Sequence, residues 1–186
     1  MAGERQAGEV RAFVGLGANL DDPRGRIAAA IRAIAALPGT RLVALSSLYR
    51  SAPVDAGGPD YLNAVAELGT TLTPAALLAA LQSIEAGQGR ERPYRNAPRT
   101  LDLDLLLYGS QVLDTPQLRV PHPRMHARAF VLVPLAEIDA TLAIPGRPPL
   151  ADLLRDCAGQ GIEKLVAANA LLAESLRAAP VLQAAR

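Results

Sequence analysis

The feature that most constrains the fold is the alternation of leucine and aspartate in Leu101-Asp102-Leu103-Asp104-Leu105. Alternation with a period of two is typical of a strand with one buried face and one open face. It predicts that the leucines, continuing to Leu107, share one face and that the two aspartates share the other. Carboxylates two positions apart on a strand lie roughly 6 to 7 Å from each other and repel. Such a pair needs a partner that stabilises it.

Three interpretations of the carboxylate pair follow from the pattern. The pair can lie on the solvated face of an antiparallel strand, although aspartate is unfavourable in strands. It can be an acid–base dyad that shares a proton, or a site for a divalent cation. Just ahead of it, ten residues contain one acid, Glu91, and four arginines: Arg90, Arg92, Arg95 and Arg99. Because Mg²⁺ beside guanidinium groups suits a polyphosphate ligand, the sequence favours the cation site.

The overall composition makes this arginine cluster a local feature. The 186 residues have a formal net charge of +1, so we expect no general attraction to nucleic acid or to an anionic membrane. The single cysteine, Cys157, excludes an internal disulfide framework and a multi-cysteine zinc site. The first ten residues carry three charges and no apolar run. We therefore expect a cytoplasmic protein without a secretory signal.

Periodicity and turn residues predict the order strand, helix, strand, strand, helix, strand up to the carboxylate strand. The predicted strands are Val10 to Leu16, Arg41 to Tyr49, Tyr61 to Leu68 and residues 100 to 108, with helices starting at Asp22-Pro23 and Thr73-Pro74. A turn is expected at Gly15 to Leu20. This order is that of a ferredoxin-like split βαβ unit. Helices on an antiparallel sheet make the fold class α+β.

The chain beyond the carboxylate strand is predicted to form shorter elements. After a turn at Gly109-Ser110 into Gln111 to Leu113, the expected elements are a helix at Val131 to Ile138 where a strand also fits, a strand at Thr141 to Ile144, and helices at Leu150 to Cys157 and Ile162 to Ala178.

The third predicted strand has an apolar face, formed by Leu62, Ala64, Ala66 and Leu68, and a face that carries Tyr61 and Asn63. An aromatic ring beside an amide can stack on a flat heterocycle and hydrogen-bond its edge. An ordinary strand tyrosine fits the pattern equally well. The preceding residues, 51 to 60, are rich in glycine and proline and form a candidate binding loop.

Six short motifs occur in order between about residues 10 and 166. They are Gly15-Leu16-Gly17-Ala18-Asn19-Leu20, Ser46-Ser47-Leu48-Tyr49-Arg50, Pro59-Asp60-Tyr61-Leu62-Asn63-Ala64, Pro98-Arg99-Thr100-Leu101-Asp102-Leu103-Asp104-Leu105, Val120-Pro121-His122 and Arg128-Ala129-Phe130. Through these motifs the chain resembles the 6-hydroxymethyl-7,8-dihydropterin pyrophosphokinases. Enzymes of this family belong to the folate pathway and move a pyrophosphoryl group from ATP to a pterin alcohol.

The resemblance implies a domain organisation and a reaction. It implies a pyrophosphokinase domain at residues 10–166, between a mobile N-terminal tail, 1–9, and a helical C-terminal extension, 167–186. The implied cofactors are two Mg²⁺ ions, with ATP as co-substrate and 6-hydroxymethyl-7,8-dihydropterin as acceptor. No nucleic acid or membrane partner is expected, and we expect a monomer.

The resemblance also implies the site residues. Asp102 and Asp104 correspond to the metal ligands, and Arg90 and Arg99 to catalytic groups that bind the transferred phosphates. The implied ATP contacts are Gln82, Glu85, Arg92, Arg99, Leu105, His122 and Arg128. The implied pterin contacts are Ser51, Ala52, Pro53, Val54, Tyr61, Asn63 and Phe130.

Two other functions are compatible with parts of the pattern. A Mg²⁺-dependent nucleotide-sugar transferase also uses an Asp-x-Asp pair, but it should show a nucleotide-binding α/β half ahead of the pair. A non-catalytic regulatory domain can share the ferredoxin-like scaffold, but it has no use for both carboxylates together with Arg90 and Arg99.

Overall fold

The computed structural model describes residues 8–53, 58–88 and 100–177. The strands are β1 (Val10–Ala18), β2 (Thr40–Leu45), β3 (Leu48–Ser51), β4 (Tyr61–Thr70), β5 (Asp102–Tyr108), β6 (Leu113–Asp114), β7 (Arg119–Val120) and β8 (Ile162–Val166). The α-helices are α1 (Pro23–Ala35), α2 (Pro74–Gly87), α3 (Ala129–Ile138), α4 (Leu150–Asp156) and α5 (Ala168–Arg177), and Met125–Ala127 forms a 3₁₀ turn. The predicted N-terminal tail, 1–9, lies almost entirely outside the described residues.

The sheet has six strands, and its centre is the antiparallel pair of β1 and β4. β5 pairs with the other side of β1, while β2 and β3 pair with successive parts of β4. β8 adds a strand beyond β3, which gives the order β5-β1-β4-β3-β8. All of these pairs are antiparallel, so the predicted α+β class and ferredoxin-like order are confirmed.

The two long helices begin where the sequence predicts. The Asp22 carboxylate accepts a hydrogen bond from the Gly25 N–H at 3.0 Å, and the Thr73 hydroxyl accepts one from the Ala76 N–H at 3.2 Å. Each cap is followed by a proline at the first helical position, where the missing N–H has no intrahelical partner to lose. These local signals suffice to start α1 and α2.

Different helices pack against the two faces of the sheet. The first face carries the apolar side of β1, β4 and β5 and packs under α1, α2 and α5. The predicted apolar face of the third strand belongs to it, as Leu62, Ala64, Ala66 and Leu68 all join this cluster. The second face carries Phe13 and Val65 and packs under α3 and α4. Leu106 and Leu107 join this second cluster.

Leu107 was predicted on the face of Leu101, Leu103 and Leu105, and that prediction is wrong. Phe13 pairs with Leu107 while Val14 pairs with Leu105, so Leu106 is an extra residue that forms a β-bulge. Because a bulge adds one residue to one strand, it reverses the alternation beyond it. Leu107 therefore lies in the second cluster and Tyr108 in the first.

Two predicted elements near the N-terminus need correction. The expected turn at Gly15 to Leu20 is wrong for its first four residues, because β1 continues through Ala18. The predicted strand Arg41 to Tyr49 is interrupted at Ser46 and Ser47. There the Ser46 hydroxyl accepts the Val65 N–H at 2.8 Å, and the Ser47 N–H donates to Glu137 at 2.8 Å. Side chains thus take part in the hydrogen bonding at the point where the ladder is broken.

Two predictions in the C-terminal part are also wrong. Thr141 to Ile144 is not a strand, since the Asp139 carboxylate accepts hydrogen bonds from both the N–H and the hydroxyl of Thr141 and turns the chain. The predicted helix Ile162 to Ala178 begins as strand β8, which pairs with the exposed edge of β3. The segment Val131 to Ile138, left open between helix and strand, lies in α3.

Candidate active site

A row of five residues, one from each of β5, β1, β4, β3 and β8, crosses the second face of the sheet. Direct pairing aligns Asp102 with Gly17, Gly17 with Asn63, Asn63 with Tyr49 and Tyr49 with Lys164. Residues directly opposite in antiparallel strands point to the same side. Asp102 and Asn63, which are far apart in sequence, therefore face the same surface with only a glycine between them.

A second glycine lies beside the other carboxylate. Asp104 pairs with Gly15, and Gly15 pairs with Val65. A β-carbon at Gly17 would lie 3.5 Å from Asn63 Oδ1, so this glycine leaves open space between the carboxylates and the amide. The predicted placement of both aspartates on one face is confirmed by this pairing.

The carboxylate pair suits a hard divalent cation. Among residues 8–53, 58–88 and 100–177, no group of three or more His, Cys, Asp or Glu side chains could hold a metal ion alone. Mg²⁺ is commonly bound by one or two carboxylates together with water and substrate phosphates. Two carboxylates on an open face therefore fit Mg²⁺ that arrives with a phosphate ligand.

The Asn63 amide is held in one orientation by a neighbouring strand. Its Nδ2 donates to the Ser51 hydroxyl at 3.0 Å, so its Oδ1 is the atom nearest Gly17. Tyr61 pairs with Ser51 and faces the same side. Ala52 and Pro53 follow directly after β3, and Val54 lies outside the described residues. The predicted pterin contacts on β3 and β4 thus lie together.

A pocket of about 390 Å³ adjoins the carboxylate pair at the β5 edge of the sheet. Its lining residues are Leu78, Leu103, Asp104, Leu105, Thr115, Pro116, Gln117, Leu118, Arg119, His122 and Pro123. Leu105 and His122, two of the predicted ATP contacts, both line it. The pocket brings them together with one of the predicted metal ligands.

His122 is held as a neutral side chain with a defined proton position. Burial lowers its pKa to about 4, with contributions from the charges of Arg128 and Arg124 that outweigh the opposing charge of Asp102. Its Nδ1 accepts the Arg124 N–H at 3.3 Å, which places the proton on Nε2. That nitrogen lies 4.0 Å from Asp104 Oδ2, so His122 presents a donor towards the carboxylate pair.

Arg128 and Phe130 lie at the start of α3, next to the same face. The guanidinium carbon of Arg128 lies 5.3 Å from the centroid of the Phe130 ring, within range of a cation–π interaction. Phe130 also packs against the second cluster. A predicted ATP contact and a predicted pterin contact are therefore in contact with each other.

The two predicted ATP contacts on α2 differ in exposure. Gln82 is exposed, whereas Glu85 is only 2% exposed and accepts the Leu103 N–H of the edge strand at 2.7 Å. Glu85 thus contacts the backbone between the two aspartates. Arg90, Arg92 and Arg99 lie outside the described residues, so their roles stay predictions.

Some residues of the site were missed by sequence reasoning. Gly15 and Gly17 were taken as turn residues, although a Gly-x-Gly spacing within a strand also indicates a bare patch on one face. Residues 115–119, which line the pocket, gave no usable signal, because only the folded hairpin of β6 and β7 brings them to the edge of β5.

Comparison of the sequence with known proteins finds one matching family and several similar relatives. The profile of 7,8-dihydro-6-hydroxymethylpterin-pyrophosphokinase (HPPK) matches residues 13–140. A 2-amino-4-hydroxy-6-hydroxymethyldihydropteridine pyrophosphokinase from Pseudomonas aeruginosa is 53% identical over 156 residues, which are 83% of this chain and 96% of the relative. A relative with the same name from Haemophilus influenzae is 44% identical over 157 residues, covering 84% and 98% of the two chains.

Solved structures agree with the fold. A crystal structure of wild-type Plasmodium falciparum HPPK-DHPS superposes with a TM-score of 0.65 at 11% identity. The match covers 82% of this chain but only 45% of that one, so this chain spans less than half of the larger protein. At this identity the likeness concerns the fold alone. On the family profile and the curated relatives, the chain belongs to the 7,8-dihydro-6-hydroxymethylpterin-pyrophosphokinase family.

Proposed function

We propose that this protein transfers the pyrophosphoryl group of ATP to the hydroxymethyl oxygen of 6-hydroxymethyl-7,8-dihydropterin, a step of folate biosynthesis. The observation that carries this proposal is the alignment of Asp102, Gly17 and Asn63 across three adjacent strands. It places carboxylates for a metal–phosphate group and a nearly buried amide, 4% exposed, for a heterocycle on the same face of the sheet. The family membership supports the same reaction.

In this proposal Asp102 and Asp104 hold two Mg²⁺ ions. When bound, the ions would neutralise phosphate charge and act as Lewis acids on the phosphoryl group. Both aspartates lie on the face that also carries the predicted pterin contacts, and Asp104 lines the pocket at the sheet edge. The carboxylates are thus suited to bind a metal–nucleotide complex at the boundary between pocket and open face.

The nucleotide binds in the pocket at the edge of β5. Leu105 and His122 line it, and the Nε2–H of His122 is available as a donor to a phosphate oxygen. Gln82, Glu85, Arg92 and Arg128 are the further nucleotide contacts of the proposal. Arg90 and Arg99 bind the transferred phosphates and stabilise the charge that develops on them.

The pterin lies on the second face, stacked between Tyr61 and Phe130. Asn63 and the backbone of residues 51–54 recognise its edge. The hydroxymethyl oxygen then attacks the β-phosphorus in line, the bond from that phosphorus to the α-phosphate oxygen breaks, and AMP leaves. The hydroxyl proton passes to solvent. Positioning and charge stabilisation supply most of the catalysis in phosphoryl transfer, so no covalent nucleophile is needed.

The proposal extends to organisation and location. The catalytic domain covers residues 10–166, followed by a helical extension at 167–186, and the protein acts as a cytoplasmic monomer. Part of the extension is α5, in which Leu171 is fully buried in the first cluster. None of the helices in residues 8–53, 58–88 and 100–177 is long and apolar enough to cross a membrane.

The test is an acceptor-dependent assay of AMP. Purified protein with ATP, Mg²⁺ and 6-hydroxymethyl-7,8-dihydropterin is expected to form AMP and the pterin diphosphate, and EDTA should stop the reaction. The control acceptor is 6-methyl-7,8-dihydropterin, which keeps the ring but lacks the attacking hydroxyl group. Absence of AMP with the hydroxymethyl compound, or equal AMP formation with both compounds, would overturn the proposal.

A further inference from the structure

The backbone on both sides of Arg128 is held by one side chain from a distant loop. Gln160 Oε1 accepts the Ala129 N–H at 2.9 Å, and Gln160 Nε2 donates to the Ala127 carbonyl oxygen at 2.9 Å. The amide thus pairs with both backbone groups that flank Arg128, as a neighbouring strand would. It satisfies the first N–H of α3, where Arg128 provides no side-chain cap of its own.

The loop that carries Gln160 is anchored at both ends. The Gln160 N–H donates to the carbonyl oxygen of Cys157 at 2.9 Å, and Cys157 is 4% exposed within the second cluster. Two residues later the chain enters β8, where Ile162 pairs with Ser51. The exposed Gln160 side chain therefore extends from backbone that is held in place on both sides. We call its two hydrogen bonds to Ala127 and Ala129 the Gln160 clamp.

The far end of α3 is held independently of Gln160. Glu137 accepts hydrogen bonds from the Ser47 hydroxyl at 2.6 Å, the Tyr49 hydroxyl at 2.9 Å and Lys164 at 2.8 Å. Burial would raise the pKa of Glu137, but these hydrogen bonds outweigh it and lower the pKa to about 2. Loss of the Gln160 amide should therefore loosen the start of the helix and leave its body in place.

The start of α3 carries two side chains that the proposed function uses. Arg128 lies between the two backbone groups that Gln160 binds, and its guanidinium group stacks on the Phe130 ring. A shift of the backbone at Ala127 to Ala129 would move both side chains relative to the sheet. The hydrogen bonds of the Gln160 amide thus help to fix the positions of Arg128, a proposed nucleotide contact, and Phe130, a proposed pterin contact.

We propose that Gln160 is a positioning residue that fixes the backbone at Ala127 to Ala129, so that Arg128 and Phe130 are presented together to the two substrates. The substrate part of this inference rests on the proposed function. The clamp itself does not, because its hydrogen bonds exist without a ligand.

The first experiment measures the clamp without substrates. Backbone hydrogen exchange at residues 127–130 should be at least about fivefold faster in Gln160→Ala than in the wild type. Gln111→Ala is the matched control, since Gln111 is an exposed turn residue after β5. Unchanged exchange in Gln160→Ala would overturn the clamp, whatever reaction the protein catalyses.

The second experiment tests how the Gln160 hydrogen bonds affect the reaction. Gln160→Ala should raise the KM for the pterin about tenfold with little change in melting temperature, whereas Gln111→Ala should change neither. Gln160→Glu keeps the acceptor for Ala129 but loses the donor to Ala127, so an intermediate KM is expected. In a Phe130→Ala background, Gln160→Ala should raise the pterin KM less than it does alone. Equal, additive increases, or an unchanged KM in an active enzyme, would overturn the positioning role.

Discussion

Around Gly15 and Gly17 the two faces of the sheet are built from alternate residues of the same strands, yet they carry opposite chemistry. On the first face Ala12, Val14 and Leu16 are at most 2% exposed and pack under three helices. On the second face their neighbours Gly15 and Gly17 lie beside Asp104 and Asp102. Burial of apolar surface stabilises the fold, whereas like charges on an open face oppose it. The difference indicates that, around Gly15 and Gly17, the first face stabilises the fold and the second face is left for ligand binding, although the rest of the second face also packs under α3 and α4. Substitutions can test that local separation.

The largest effect is expected at the carboxylate pair. Asp104→Asn removes one negative charge from the proposed metal site, so turnover should fall about 1,000-fold, or ~4 kcal/mol of transition-state stabilisation. The free energy of unfolding should stay the same or rise slightly, because the repulsion with Asp102 is relieved. Turnover in saturating ATP and Mg²⁺ and urea unfolding measure the two quantities.

The matched control for this change is Asp152→Asn on α4, where the carboxylate pairs with Arg155 at the surface. This variant should keep wild-type turnover. Full turnover in Asp104→Asn at ordinary Mg²⁺ concentration would show that this carboxylate does not hold a required metal ion.

The separation of faces was partly readable from the sequence. A period of two is set by strand geometry alone, so it predicted the faces of β4 and placed Asp102 and Asp104 together. The caps of α1 and α2 were predictable for a similar reason, as Asp22 and Thr73 bond to N–H groups three residues away. Signals of this kind need no knowledge of the rest of the fold.

The features that were missed depend on distant parts of the chain. The bulge at Leu106 exists only in the register with β1, and it reverses the expected face of Leu107. The break at Ser47 is stabilised by Glu137, ninety positions away. β8 forms as a strand because the edge of β3 is available for pairing. The role of the β1 glycines became visible only from the strand pairing, which places Gly17 between Asp102 and Asn63 and Gly15 between Asp104 and Val65.

The next largest effect is expected on the first face. Ile31 of α1 is 1% exposed in the first cluster, so Ile31→Ala should lower the free energy of unfolding by about 3 kcal/mol through lost burial and a residual cavity. Turnover of the folded enzyme should be unchanged. Leu176→Ala on α5, where the leucine is 59% exposed, is the control and should change stability little. A large loss of turnover in Ile31→Ala below its melting temperature would contradict the separation.

The smallest effect, and the sharpest test of the open face, is expected for Gly17→Ala. The added methyl group would meet Asn63 Oδ1 at 3.5 Å, an ordinary van der Waals distance, so the fold should tolerate it to within about 0.5 kcal/mol. The same methyl group would occupy the space between Asp102 and Asn63. We therefore expect kcat/KM for the pterin to fall about tenfold, or ~1.4 kcal/mol.

Gly87→Ala is the control for this substitution, because a β-carbon at Gly87 meets no atom within 4 Å. It adds the same methyl group at the end of α2 and should leave kcat/KM unchanged. If Gly17→Ala retains full activity, the ligand does not use the surface between the carboxylates and the amide. If it loses stability instead, the glycine serves the packing of the sheet. If Gly17→Ala loses activity at unchanged stability, the substrate uses the surface that this glycine leaves free of a side chain on the second face.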